Sequence, residues 1–198
     1  MEKYVVTLSR QFASMGRTIA QLMSDELGIA FYDRDIVENT ARRMDVSVAE
    51  VNEKEETPGS VFGNIKYPLG LGLVSTTREI FEVESNIIRD FALGGESCII
   101  VGRCADYILR DIPRCLNVYV YASTEQRIKN CVERLEMEEK DAKRILPEVD
   151  KARSLYRFRY CEDVKNEFSG RDIMIDSGRF GPEKTAEILC GIVRNVFE

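Results

Sequence analysis

Histidine is missing from all 198 residues. That absence removes Ser-His-Asp and Cys-His nucleophile systems, His-Glu-x-x-His metalloproteases and any histidine-based phosphotransfer. Chemistry in this chain has to run on Asp, Glu, Lys, Arg, Ser, Thr, Tyr, Cys or the backbone. Phosphoryl transfer suits that restriction, because it depends on positioning and positive charge more than on a strong base. A Cys-x-x-Cys pair is also lacking. The six cysteines, Cys98, Cys104, Cys115, Cys131, Cys161 and Cys190, match no zinc spacing. They are expected to be reduced thiols, mostly buried or half-buried filler, in a cytoplasmic protein. No apolar run approaches the roughly 18–20 residues of a membrane span. Met1 to Leu8 is too short for a signal peptide, so no membrane partner is expected. Nor is there a surplus of positive charge: the net charge is −6, which argues against broad binding to nucleic acid. A local basic cluster can still hold a small phosphorylated molecule.

What is present is ordinary for a soluble globular chain, with 44% hydrophobic and 31% charged residues. The length suits one α/β domain able to bury its own core. Tyr4-Val-Val-Thr-Leu8 reads as a buried strand. Ser9 to Gly16 reads as a loop. Arg17 to Leu27 carries Ile19, Leu22, Met23 and Leu27 at helical spacing, and Gly28 closes it. Ile29 to Tyr32 is a second strand, so the chain opens as a βαβ unit. Asp35 to Met44 reads as a helix, and Ser47-x-x-Glu50 resembles a capping box. Glu53 to Gly72, with Pro58, Gly59, Gly63, Pro68, Gly70 and Gly72, is the least regular stretch and the best candidate for a mobile segment. A helix bearing Ile80, Val83, Ile87, Ile88 and Phe91 follows, its apolar stripe read as core. Strands are expected at Cys98–Val101, Leu116–Tyr121 and Asp172–Asp176. Helices are expected from Glu125 to about Glu136, after a capping box at Ser123, and from Pro182 to Phe197. Glu138 to Asp163 is predicted as two helical pieces around Pro147. The whole is an α/β fold, a five-stranded, mainly parallel sheet flanked by helices, with ligands expected at the carboxyl ends of the strands.

Between the first strand and the first helix lies Gln11-Phe-Ala-Ser-Met-Gly16-Arg17-Thr18. It occupies the place of a G-x-x-x-x-G-K-[ST] phosphate loop. Gly16 stands at the second glycine and Thr18 at the magnesium-binding hydroxyl; Arg17 replaces the lysine and Gln11 the first glycine. Arginine keeps the charge and adds bidentate recognition. The alternative is a plain strand-to-helix turn with a surface arginine.

The run Thr7-Leu-Ser-Arg-Gln-Phe-Ala-Ser-Met-Gly-Arg17, followed by Phe31-Tyr-Asp-Arg-Asp35, resembles the cytidylate kinase-like family of P-loop nucleoside monophosphate kinases. Members open with a strand, S-R-Q-[FY]-G-S-G-G-R, a helix and F-Y-D, so arginine at the lysine position is similar to what the family carries. Ala13 and Met15 depart from it where glycines are usual. Ile99-Ile-Val-Gly-Arg-Cys-Ala-Asp106 is similar to the family's strand and G-R-x-[AI]-D segment. Leu116 to Arg134 is similar to the strand and helix near the donor base. Lys151-Ala-Arg153 with Tyr156-Arg157 is similar to its lid, and Asp172 to Ser177 to its final strand. The resemblance spans nearly the whole chain. It implies a single kinase domain with an acceptor-binding insertion over residues 45–94 and a lid over 138–168. It also implies ATP and Mg2+, small nucleotide partners, and transfer of the γ-phosphoryl to CMP or dCMP. A different small-molecule acceptor and a non-catalytic nucleotide-binding protein are the alternatives.

Under the resemblance, Ser14, Met15, Gly16, Arg17 and Thr18 hold phosphates, and Thr18 with Asp33 holds the metal. Asp33, Arg103 and Asp106 meet the acceptor, while Asp35 serves function or merely caps its helix. Arg17, Arg103, Arg153 and Arg157 neutralise the transferring group. The bland readings are an Arg103–Asp106 surface pair and a solvated helix in which Arg153 and Arg157 pair with Asp150, Glu162 and Asp163.

Overall fold

The computed structural model describes residues 2–45, 48, 77–166 and 168–197. The Ser47-x-x-Glu50 capping box and the Glu53–Gly72 segment lie outside the described residues. Five strands form one sheet: β1 (Val5–Arg10), β2 (Ala30–Tyr32), β3 (Cys98–Val101), β4 (Cys115–Tyr121) and β5 (Ile173–Asp176). Their order is β2-β3-β1-β4-β5, and every pairing is parallel. The helices are α1 (Gly16–Leu27), α2 (Arg34–Met44), α3 (Thr77–Leu93), α4 (Ala105–Ile108), α5 (Thr124–Leu135), α6 (Glu139–Tyr160) and α7 (Ser177–Phe197).

Strand side chains alternate between faces, and both faces of this sheet are covered. Val6, Leu8, Ile99, Val101, Val118 and Val120 pack under Ile19, Ala20 and Met23 of α1 and Leu189, Cys190 and Val193 of α7. Their neighbours Val5, Cys98 and Ile100 face the other way, onto Ile36 of α2, Ile87, Ile88 and Ala92 of α3, and α4. Each fully buried aliphatic side chain is worth about 1.5–3 kcal/mol, so this two-sided burial is what orders the central strands. A third cluster joins Phe12 and Ala13 of the loop after β1 to Cys131 of α5 and Ile145, Leu146 and Val149 of α6. The apolar stripe of α6 therefore seats directly on that loop.

The ends of the elements follow their capping residues. Gly28 closes α1 at φ 65°, its N–H reaching Ser24 O. Ser123 Oγ accepts the Gln126 N–H at 3.2 Å, but the Gln126 side chain donates to Asn130 at 3.1 Å, so only half of the expected capping box forms. One expectation is corrected: α6 runs unbroken through Pro147. Pro147 and Lys143, whose carbonyl loses its helical donor, both lie on the exposed side, where that carbonyl is within reach of solvent. The opposite face is pinned by Ile145, Leu146 and Val149. In α7 the helix proper starts at Pro182, because Gly181 (φ 76°, ψ 162°) breaks the preceding turn. No helix among the described residues is long and apolar enough to cross a membrane. Five of the six cysteines are buried, Cys115 is half-buried, and all are free thiols.

Candidate active site

The carboxyl ends of β1, β2 and β3 open into a cavity of about 1200 Å³. Its floor is the loop from Gln11 to Met15. Gln11, which replaces a glycine, ties this loop to β4: its N–H donates to Val120 O at 3.0 Å and its Oε1 accepts the Ala122 N–H at 3.2 Å. The carbonyls of Gln11, Phe12, Ala13 and Ser14 are then all occupied by side-chain donors. Gln11 O takes the Ser14 hydroxyl at 3.0 Å, Phe12 O takes Arg127 at 3.4 Å, Ala13 O takes Asn130 Nδ2 at 2.8 Å, and Ser14 O takes Ser177 Oγ at 2.7 Å. Asp150 of α6 receives the Phe12 N–H at 2.8 Å and also pairs with Arg127.

With its carbonyls occupied behind, the loop presents amides in front. The N–H groups of Gly16, Arg17 and Thr18 begin α1 and have no intrahelical acceptor. Ala13 (φ 59°) and Met15 (φ 62°) sit in the left-handed region, while Ser14 and Gly16 do not. That alternation is the backbone form of an anion-binding nest. The two residues that depart from the family pattern thus take the glycine conformation all the same, at about 1–2 kcal/mol each. Helix dipole and amides both favour an anion here. Gly16 cannot be replaced, since a Cβ there would lie 2.7 Å from Arg10 Cβ.

The expected site residues Met15, Gly16, Arg17, Thr18, Asp33, Arg103, Arg153 and Arg157 all line this one cavity. Ser14 is buried beneath it with its hydroxyl bonded inward. Asp33 stands at the centre, 2.8 Å from Arg17 Nε and 3.8 Å from Arg10. It precedes α2 without capping it through its side chain, and Asp35 lies exposed in the first turn of that helix. Arg103 does not pair with Asp106; its Nη1 bonds Glu84 at 2.8 Å, and Glu84 also accepts from Tyr156 Oη at 2.9 Å. Arg153 donates to Arg10 O at 3.0 Å. Burial, with Arg10 beside it, lowers its pKa to about 9. Arg157 turns away from Asp150, Glu162 and Asp163: it bonds Asp106 at 2.7 Å and Ser169 O at 2.7 Å. Asp106 shares the same oxygen with Arg171 at 2.9 Å, and its Oδ1 has no partner among the described residues.

Three of these groups escape the sequence reading. Glu84 is fully buried. It lies four residues after Ile80 and four before Ile88, so an acidic residue at a core position was its signal. Arg171 carries none beyond its proximity to the last strand. Arg10, at the end of β1, has burial as the main cause of its lowered pKa; Arg103 and Arg17 add to the effect and Asp33 opposes it.

The oxygen donors Thr18 and Asp33 suit Mg2+, which takes a few protein oxygens and completes its shell with water and phosphate. Among the described residues no cluster of three or more His, Cys, Asp or Glu side chains could hold a metal unaided. The inward amides and arginines fit a polyphosphate.

Comparison with known proteins agrees with this architecture. Residues 5–179 match the cytidylate kinase-like family. A crystal structure of a protein from Eubacterium ventriosum is 22% identical over 97% of this chain and 99% of its own, with a TM-score of 0.73. Shikimate kinase from Acinetobacter baumannii in complex with shikimate is 17% identical over 99% and 96%, with a TM-score of 0.55. A gluconokinase from Sinorhizobium meliloti is 14% identical over 98% and 93%, with a TM-score of 0.54. No curated protein matches the chain. The shared fold is that of the P-loop kinases.

Proposed function

Given that the chain belongs to the cytidylate kinase-like family, we propose that it moves the γ-phosphoryl of ATP to a nucleoside monophosphate, CMP or dCMP foremost. One observation carries the reading. The loop amides from Gly16 to Thr18 and the guanidinium groups of Arg10, Arg17, Arg103 and Arg153 meet on a single cavity with Asp33.

The amides from Met15 to Thr18 hold the β- and γ-phosphates, with the Arg17 guanidinium beside them, over the buried Ser14 that braces the loop. Thr18 and Asp33 would hold Mg2+, which neutralises charge on the donor phosphates when bound. Arg17 then exchanges Asp33 for phosphate, a charge-assisted contact of the same kind. Arg103, fixed by Glu84, forks the acceptor phosphate, and the acceptor reaches Asp106, which is buried behind the cavity lining and whose Oδ1 has no partner among the described residues. As the bond from the acceptor phosphate oxygen to the γ-phosphorus forms, the bond to the β–γ bridging oxygen breaks. Its electron pair leaves with ADP, and no proton has to be removed from a phosphate dianion, so the lack of histidine costs nothing. Arg153 and Arg157 belong to residues 138–168, which act as the lid that excludes water. Residues 45–94 supply the acceptor side. The reaction takes place in the cytoplasm, as six free thiols favour.

A second acceptor class follows from the fold neighbours, whose names are shikimate kinase and gluconokinase. ADP release from ATP and magnesium, measured against a panel of nucleoside monophosphates beside shikimate and gluconate, separates the two. Release driven by CMP or dCMP and lost in Arg17→Ala is the expected result. Release driven only by the non-phosphorylated acceptors would replace the nucleotide reading. ATP binding without release to any acceptor would leave a binding protein.

A further inference from the structure

Arg17 stands at the lysine position of the phosphate loop, yet it lies at the rim, with 46% of its side chain exposed and its Nε on Asp33. A different arginine occupies the interior. Arg10, the last residue of β1, sends its stem beneath Gly16, where a Cβ would come within 2.7 Å of Arg10 Cβ and 3.0 Å of Cγ. Its guanidinium then lies along Gly102, where a Cβ would fall 2.0 Å from Arg10 Nη1 and 3.2 Å from Cζ. Two glycines, one opening α1 and one just after β3, therefore form a slot for one side chain, and the slot opens on the cavity.

The charge in that slot is poorly matched. Among the described residues Arg10 has one ion pair, with Asp33 at 3.8 Å, and Asp33 is held more closely by Arg17. Burial above all lowers the pKa of Arg10; Asp33 opposes the shift, and the like charges of Arg103 and Arg17 add to it. Arg153, which also feels Arg10, grips the Arg10 carbonyl at 3.0 Å and holds that part of the strand in place. A guanidinium so confined gains most from an oxyanion brought into the cavity, and it needs no reorganisation to meet one.

We propose that Arg10 is the catalytic residue that clamps the terminal, transferred phosphoryl group, leaving Arg17 to the β-phosphate side of the mouth. The assignment rests on the kinase reading of this cavity and deepens it. It predicts a division that no general basic patch would produce: Arg10 distinguishes a nucleoside triphosphate from its diphosphate, and Arg17 does not.

Calorimetric titration of ATP and of ADP, each with magnesium and without acceptor, tests it. Arg10→Gln keeps the stem under Gly16 and removes the charge. Gly102→Ala keeps every charge and drives the guanidinium from its slot. Both variants are expected to weaken ATP roughly 10–100-fold while changing ADP less than about 3-fold, the range for one charged hydrogen-bonding group. Arg17→Ala is expected to weaken both ligands. Equal losses for ATP and ADP in Arg10→Gln, or no loss, would overturn the assignment while leaving the kinase reading in place. A wild-type chain that binds neither nucleotide would overturn both. If Gly102→Ala does not fold, Arg10→Gln decides alone. A wild type that binds ATP but transfers to nothing overturns the kinase reading and the catalytic role of Arg10 with it, whatever the ATP-to-ADP comparison gives.

Discussion

Removing the carboxylate of Asp106 by substitution with alanine separates a ligand contact from a structural keystone. The side chains of Asp106, Arg157 and Arg171 are 1%, 7% and 4% exposed. One carboxylate oxygen serves both guanidiniums, at 2.7 and 2.9 Å. The Nε atoms of Arg157 and Arg171 are themselves buried without partners among the described residues. Among the described residues, Asp106→Ala leaves two buried positive charges with Ser169 O, Ser9 Oγ and the face of the Tyr119 ring as their remaining partners. Breaking a buried pair in this way costs about 3–5 kcal/mol, most of it the charge left behind. For a chain of this size that lowers the melting temperature by roughly 6–20 °C. The urea midpoint falls by about 1–2 M, with the slope unchanged. Asp90→Ala is the control: its pair with Arg43 is 60% and 47% exposed, so it costs less than about 1 kcal/mol. Urea unfolding followed by circular dichroism reads both. An Asp106→Ala midpoint within error of the Asp90→Ala midpoint would refute the reasoning, and Asp106 would then be a ligand contact alone.

Met15 offers a test of backbone strain, since its left-handed φ of 62° orders Met15→Gly above wild type and wild type above Met15→Ile in melting temperature. Side-chain hydrophobicity predicts the reverse order, and finding it would show that the loop relaxes. Arg153 has its pKa lowered to about 9 by burial, so the folded chain binds this proton less tightly than the unfolded one. Its charge therefore opposes folding at neutral pH, and the opposition fades as pH rises above about 9. Arg153→Met is expected to raise the melting temperature of the ligand-free chain at pH 7 while abolishing transfer; a fall would contradict this balance. Burial holds the thiols of Cys98 and Cys131 up at about 11 and those of Cys115 and Cys190 at about 12, so these four stay protonated at pH 8. Iodoacetamide is expected to label them slowly in the native chain and rapidly in urea, as peptide mapping reads directly; fast native labelling would show the sheet opening.

The strands and the opening βαβ unit were legible because burial on both faces leaves continuous apolar runs, and because Gly28 and Ser123 mark helix ends locally. The loop from Gln11 to Thr18 was legible through its place between β1 and α1. Partners were harder. That Arg103 meets Glu84 and Arg157 meets Asp106 depends on how helices far apart in sequence dock, and spacing along the chain carries none of that. The slot for Arg10 needs Gly16 and Gly102 together, two glycines 86 positions apart by number. Pro147 misled for a related reason: its effect on α6 depends on which side of the helix meets solvent, which is settled by packing on Phe12 and Ala13.

Whether the γ-phosphoryl leaves ATP for an acceptor phosphate is read by following a label. ATP carrying radiolabel at the γ-phosphate, incubated with magnesium, CMP and the purified chain, is resolved by thin-layer chromatography. Label is expected in CDP, and none of it when Arg17→Ala replaces the wild type. Label appearing only as inorganic phosphate, or remaining in ATP with every nucleoside monophosphate supplied, would contradict that transfer.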